Sequence, residues 1–352
     1  MPKTCSEAPR RAAARTTLHG PAMGTRWSAS VDAEPTLDLP ALQLDLADAV
    51  QSVDAQMSPW KPDSDLMRLN RAAVDTWVAL PAEMLQVLEA ALQIERASAG
   101  AFDIGVGALV DAWGFGAARD VPDAAAIRAA RSQSRLATHA SLELDLPAGR
   151  ARKHAPLAID LCGIAKGYAV DRMAEVLQRH GVRHALAALD GELRAVGAQA
   201  DGRPWAVALE RPEPGQRAVH GVIELQDLSI ATSGDYRRFV QVAGDRLAHT
   251  MDARRAAPLK NEVASVSVLA TSCMQADAWA TALLVAGPGE GMALAQRMGL
   301  EALWLVRRAG KLVEIGLGRF GTAAEPGTPR LGQVERKRGV RVAPACRAGE
   351  IR

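Results

Sequence analysis

The 352-residue chain carries 42 Lys and Arg against 40 Asp and Glu, a net charge of +2, with 48% apolar and 23% charged residues. That composition is globular and large enough to bury a real core, and it argues against a nucleic-acid groove, which needs basic residues clustered on one face. The four cysteines, Cys5, Cys162, Cys273 and Cys346, show neither C-x-x-C nor zinc spacing, so no disulfide framework is encoded.

Residues 1–19 are basic and lack an apolar run of signal-peptide length, and none follows the adjacent Arg10 and Arg11. They read as a disordered N-terminal segment. The chain as written reads as cytoplasmic, or periplasmic if its true start lies upstream, and no run is long enough for an integral membrane segment. Periodicity begins near Gly20 and ends near Phe320, which predicts one domain over 20–320. Leu42, Leu46, Val50, Val53 and Met57 recur at helical spacing, as do Met84, Leu88, Ala91 and Glu95, and both sets predict core-facing helices. Residues 118–156 predict a surface helix and a peripheral hairpin that includes the alternating SLELDL at 141–146. At 159–181, IDLCGIAKGYAVDRMAEVLQRHG predicts a short strand ending at Asp160, a turn at Cys162 and Gly163, and a helix capped by Gly181. Lys166 falls in the first turn of that helix, against the dipole. Either a bound anion offsets the penalty or the ammonium is simply solvated. There is no P-loop and no complete dinucleotide fingerprint.

WAVALE at 205–210, VASVSVLA at 263–270, EALWLV at 301–306 and LVEIGL at 312–317 predict strands. Between them, LSIATSGDYRRF at 228–239 predicts a strand, a Ser-Gly-Asp turn and a second strand, and LAHTMDARRAAP at 247–258 adds His249 and Asp252. SCMQADAWATALL at 272–284 predicts a helix opened by Ser272 and Gln275 at capping-box spacing and stopped by Gly287 and Pro288. Asp277 and Thr281 share one face of this otherwise apolar helix. An acid there is either a partner of the helix dipole or one member of a ligand set. Residues 321–352, rich in Gly, Pro and Arg, read as a disordered basic tail. Helix and strand alternate without a βαβ rhythm, which predicts an α+β fold with a mixed, mostly antiparallel sheet and flanking helices.

Eight segments in register resemble the ApbE family of FAD:protein FMN transferases. They are GPAMGTRWSASV at 20–31, MSPWKPDSDLMRLNRA at 57–72, GAFDIGVGALVDAWGFG at 100–116, IDLCGIAKGYAVDRMAEVL at 159–177, DGELRAVG at 190–197, ATSGDYRRF at 231–239, HTMDARRAAP at 249–258 and SCMQADAWATALLVAGP at 272–288. The resemblance implies an ApbE-like fold and Mg²⁺ bound by Asp277, Thr281 and backbone oxygen of the turn holding Gly163 and Ala165. It implies FAD against Met23, Trp60, Ala101, Phe102, Asp103, Asp160, Lys166 and Met251. His249, whose imidazole is suited to accept or orient a hydroxyl proton, and Asp277 are the catalytic candidates. The implied reaction moves FMN from FAD to a Ser or Thr hydroxyl of an acceptor flavoprotein and releases AMP. An FAD diphosphatase and a non-catalytic flavin-binding maturation protein are the alternatives. Three positions depart from the family pattern. Asp190 opens an Asp-Gly-Glu turn where the family often has Gly-Gly-Glu, Ala256 replaces a Gly suited to positive φ, and Cys162 replaces a Ser or Gly.

Overall fold

The computed structural model describes residues 14–132, 136–213, 215, 218–236, 239–242 and 245–321. Its centre is an eight-stranded sheet of β1 (Ala14–Ala22), β2 (Thr25–Ala33), β3 (Ala185–Leu189), β4 (Glu192–Val196), β5 (Ser229–Gly234), β6 (Val263–Ala270), β7 (Glu301–Arg308) and β8 (Lys311–Leu317). Each strand pairs antiparallel with the next in this order, with Trp27 opposite Leu189 and Val268 opposite Ala302. The connections carry the helices α1 (Leu39–Met57), α2 (Ala82–Ala97), α3 (Ala165–Arg179) and α4 (Cys273–Met298). The α+β architecture read from the sequence is the one observed.

Alternation along the strands builds two cores. Ala302, Trp304 and Val306 of β7 face the helix side, while Leu303 and Leu305 face a hairpin formed by Trp205–Glu210 and Val219–Leu225. The sheet is therefore sandwiched between helices and a hairpin. In α1 the predicted stripe Leu42, Leu46, Val50, Val53 and Met57 is buried, and Asp38 Oδ1 accepts the Ala41 amide at 3.0 Å as the N-cap. The surface helix and hairpin predicted for residues 118–156 form as Ala124–Ser132 and as Leu142–Asp145 paired with Arg150–Lys153. Among the described residues no helix is long and apolar enough to cross a membrane.

Helices α3 and α4 cross at a glycine. A Cβ on Gly167 would lie 2.3 Å from the Cys273 carbonyl oxygen and 2.8 Å from Asp277 Cβ. The stop expected at Gly287 and Pro288 is a break within α4: Gly287 has φ 72° and ψ 178°, and Pro288 opens a second helical segment that runs to Met298.

Three expectations need revision or fall outside the described residues. Residues 14–19, read as part of a disordered segment, belong to β1, because the whole length of Thr25–Ala33 offers them an antiparallel partner. The strand expected to end at Asp160 does not form. There the Ile159 backbone bonds the Asn70 side chain through both its N–H and its C=O, and the Asp160 amide donates to the Ile104 carbonyl at 2.8 Å, so no ladder is needed. The expected basic tail lies outside the described residues beyond Gly321.

Candidate active site

The turn between β1 and β2, the loop after α1, the start of α3, the turn between β3 and β4, the end of β5 and the first half of α4 surround a cavity of about 1020 Å³. Every residue singled out for substrate, metal or catalysis lies on its wall. Met23 and Gly24 form the two-residue turn between β1 and β2 with φ of 48° and 72°. Positive φ at both centres is the geometry of a tight hairpin, and a methionine held there is strained. Trp60 follows α1 and is 49% exposed, its amide donating to Ser58 Oγ at 3.3 Å. Ala101 and Phe102 are buried, and the Phe102 amide donates to Ser98 Oγ at 3.0 Å. Asp103 Oδ1 accepts from the Gly105 amide at 2.7 Å and the Thr138 hydroxyl at 2.6 Å.

The floor of the site is the crossing of α3 and α4. Ala165 opens α3, and its amide donates to the Leu161 carbonyl at 2.9 Å, which closes the turn through Gly163. A Cβ on Gly163 would stand 3.2 Å from Thr281 Oγ1 and 3.3 Å from the Phe102 ring, so turn, helix and aromatic wall meet at that residue. Asp277 is buried at 4% exposure, and its Oδ2 accepts the Gly167 amide at 3.0 Å. Burial first, and then the charge of Glu192, push its carboxyl up to about 7, against the opposing pull of Lys166. Thr281 Oγ1 is hydrogen-bonded to Ser233 Oγ at 3.0 Å. Asp160 accepts the Cys162 amide at 2.7 Å, and removal from water raises its carboxyl above the ordinary range.

Lys166 reaches across to β4. Its Nζ lies 2.8 Å from Glu192 Oε1 and 3.6 Å from Asp190 Oδ2. Burial pulls the ammonium down, but the attraction of Glu192, Asp277 and Asp190 prevails and raises it above its ordinary value. It is therefore a firm cation, not a solvated lysine. His249 presents its ring to the cavity with Phe115 edge-on to it, the ring centroids 6.3 Å apart. Met251 is buried in a small cluster with Leu109, Ala112 and Ala130. Asp252, the acid of the His-x-x-Asp segment, does not join His249 on the cavity wall. Its Oδ1 accepts the Arg254 amide at 3.0 Å.

Among the described residues no group of three or more His, Cys, Asp and Glu is arranged to hold a metal ion. The alternative donor set of one carboxylate, one hydroxyl and backbone carbonyls is hard oxygen throughout. It suits Mg²⁺ that takes its remaining ligands from water and a diphosphate. A buried carboxyl held up to about 7 beside a second acid is also a group that a divalent cation would relieve. The residues present fit the ion.

Sequence reasoning passed over Glu192, Ser233 and Asp171. Asp171 is 7% exposed on the apolar side of α3 and accepts from Ser272 Oγ at 2.8 Å, the Cys273 amide at 2.9 Å and the Met274 amide at 2.9 Å. It caps α4 jointly with Ser272, whose Oγ accepts the Gln275 amide at 3.4 Å. The signal was present as an acid among Val170, Met173 and Ala174, since a buried acid demands partners.

The ApbE family model matches residues 23–304. An FAD:protein FMN transferase of Vibrio cholerae is 37% identical over 295 residues, covering 82% of this chain and 87% of that protein. One from Escherichia coli K12 is 32% identical over 307 residues, 84% of this chain and 85% of its own length. Among solved structures, the flavin transferase ApbE from Vibrio cholerae superposes with a TM-score of 0.78 at 34% identity, covering 88% of this chain and 98% of that one. The apo form of Pseudomonas stutzeri flavinyl transferase ApbE gives a TM-score of 0.76 at 32% identity, with 86% and 94% covered.

Proposed function

The chain belongs to the ApbE family, and on that premise we propose that it transfers FMN from FAD to a Ser or Thr hydroxyl of an acceptor flavoprotein. The observation that carries this reading is the meeting of Asp277, Thr281 and the turn at Gly163 and Ala165 with Lys166 on one wall of a cavity. In the proposed reaction the acceptor oxygen bonds to the FMN-side phosphorus as the bond from that phosphorus to the AMP oxygen breaks. AMP leaves with that oxygen, and the hydroxyl proton passes to the imidazole of His249. Asp277, Thr281 and the carbonyls of Gly163 and Ala165 would hold Mg²⁺, which when bound offsets charge developing on the diphosphate oxygens. Lys166 adds a fixed positive charge beside them. Trp60 offers an aromatic face for the flavin or adenine ring, and Phe102 and Met251 keep an apolar wall against water.

The test is incubation of the purified protein with FAD, Mg²⁺ and an acceptor bearing a Ser/Thr target segment. The intact mass of the acceptor should rise by one esterified FMN with AMP formed in equal amount, and changing the target hydroxyl residue to Ala should stop both. AMP and free FMN released at the same rate with and without acceptor would identify an FAD diphosphatase. Tight flavin binding with neither product would identify a binding protein.

A further inference from the structure

The excursion of residues 118–156 reaches a residue of the cavity wall through a buried hydroxyl. Thr138, 1% exposed, opens the single turn Thr138–Ser141, and its hydroxyl donates to Asp103 Oδ1 at 2.6 Å, the oxygen that also accepts the Gly105 amide at 2.7 Å. The approach is so close that a Cβ on Gly105 would lie 2.1 Å from Thr138 Oγ1. Both partners are tied to one acid near the end of α2. The side chain of Glu95, itself buried, holds the Thr138 turn: Oε2 accepts the His139 amide at 2.8 Å, and Oε1 lies 3.1 Å from His139 Nδ1. Its backbone carbonyl holds the loop that carries Asp103, accepting the Gly100 amide at 2.9 Å and the Ser98 hydroxyl at 3.2 Å, while Ser98 Oγ accepts the Phe102 amide. The contacts close a circuit from Glu95 through Ser98 and Phe102 to Asp103, across to Thr138 and His139, and back to Glu95. A hydroxyl and an amide converging on one oxygen fix the rotation of the Asp103 carboxylate, and Asp103 lines the cavity.

We propose that Thr138 is a positioning residue for substrate recognition: it holds the Asp103 carboxylate in the orientation that accepts a hydroxyl or N–H group of FAD, so a segment outside the cavity wall sets the affinity of the site for one half of the dinucleotide. This rests on the reading that the cavity receives FAD. A carboxylate only accepts hydrogen bonds and repels phosphate, so its partner on the ligand is a donor of a sugar chain or a ring. FAD carries such donors on both halves, the ribityl hydroxyls and ring N–H of the flavin and the ribose hydroxyls and amine of the adenosine. Thr138 acts on them through Asp103 alone. Removing its hydroxyl takes one fixed donor from the carboxylate and loosens its rotation, and ligand binding then bears the cost of ordering it.

The experiment titrates FAD, AMP and riboflavin, at saturating Mg²⁺, into the wild type, Thr138→Val, Thr138→Ala, Thr138→Ser, Asp103→Asn and the double variant of Thr138→Val with Asp103→Asn. Val keeps the shape of threonine without its donor, Ala removes both, and Ser keeps the donor. Thr138→Val and Thr138→Ala should each bind FAD about five- to ten-fold more weakly, and Thr138→Ser should bind it as the wild type does. The loss should appear with AMP or with riboflavin, whichever carries the donor that Asp103 accepts, and not with both. On the Asp103→Asn background Thr138→Val should add little further loss, because the two residues act as one unit. Unchanged FAD affinity in Thr138→Val or in Thr138→Ala overturns the proposal. Equal weakening of AMP and riboflavin, which marks a general loosening of the domain, overturns it too, as does a loss in the double variant equal to the sum of the two single losses. A wild type that binds no FAD at all overturns the proposed function and this inference with it.

Discussion

Asp277 is the residue whose charge state the fold governs most directly. Burial and the charge of Glu192 push its carboxyl up to about 7 in the fold against an ordinary 3.8, so between these values the native state holds a proton that the unfolded chain has released. Stability from this group is present in full below the lower value and is lost as pH rises through the upper one. Thermal unfolding without divalent cation, followed from about pH 4 to about pH 8, should show that decline relative to Asp277→Asn, which cannot ionise. Parallel curves for the two proteins would refute it. Added Mg²⁺ should stabilise the wild type most above neutral pH, where the carboxylate is free to bind, and the variant little. Lys166 makes a second case. Lys166→Met strips the counter-charge from Glu192, which is 2% exposed. The lysine side chain itself is 27% exposed, so the expected cost is about 2 kcal/mol, below that of a wholly buried pair. Adding Glu192→Gln should recover most of that stability in urea denaturation while FAD affinity stays low. Recovery of both together would make the lysine a purely structural residue.

At the scale of elements, the crossing of α3 and α4 decides whether Asp277 and the turn at Gly163 meet. Gly167→Ala should cost about 1–3 kcal/mol by overpacking, since the Cys273 carbonyl is backbone and cannot step aside. It should also weaken Mg²⁺ binding by shifting Asp277, measured as a smaller cation-induced rise in melting temperature. A fully retained rise would mean that the crossing does not position the carboxylate. The helices were legible because their buried stripes are continuous: five residues of α1 and the alternating face of β7 follow one period each. β1 was not, because an edge strand with polar Thr16, Thr17 and His19 carries little apolar alternation. The false strand before Asp160 arose from an apolar run whose hydrogen bonds go to the Asn70 side chain, 89 residues away in the chain. Asp171 escaped for the same reason, its partner Cys273 lying 102 residues on. Local pattern has no access to such pairs. The site residues came from family resemblance and not from periodicity, and one departure reads clearly in the structure. Ala256 keeps a φ of 48°, so the turn holds its shape with a residue that resists it.

For the whole molecule, the cavity wall runs from Met23 near one end of the described chain to Thr281 near the other. Occupancy should therefore stabilise the domain as a unit. With FAD and Mg²⁺ at about a hundred times their dissociation constants, unfolding should remain a single transition shifted upward by about 2.7 kcal/mol. Calorimetry that shows a second, unshifted transition would mean that part of the domain folds independently of the site. The same long reach bears on synthesis. Successive strands are neighbours in the sheet, yet α1, α2 and α3 all lie between Thr25–Ala33 and its next partner, Ala185–Leu189. On a ribosome adding about 5–20 residues per second, β2 leaves the exit tunnel on the order of ten seconds before β3 exists to pair with it. During that interval its inner edge is open to other nascent chains, so slow translation of the helical excursion is the condition under which this protein is most exposed to intermolecular strand pairing.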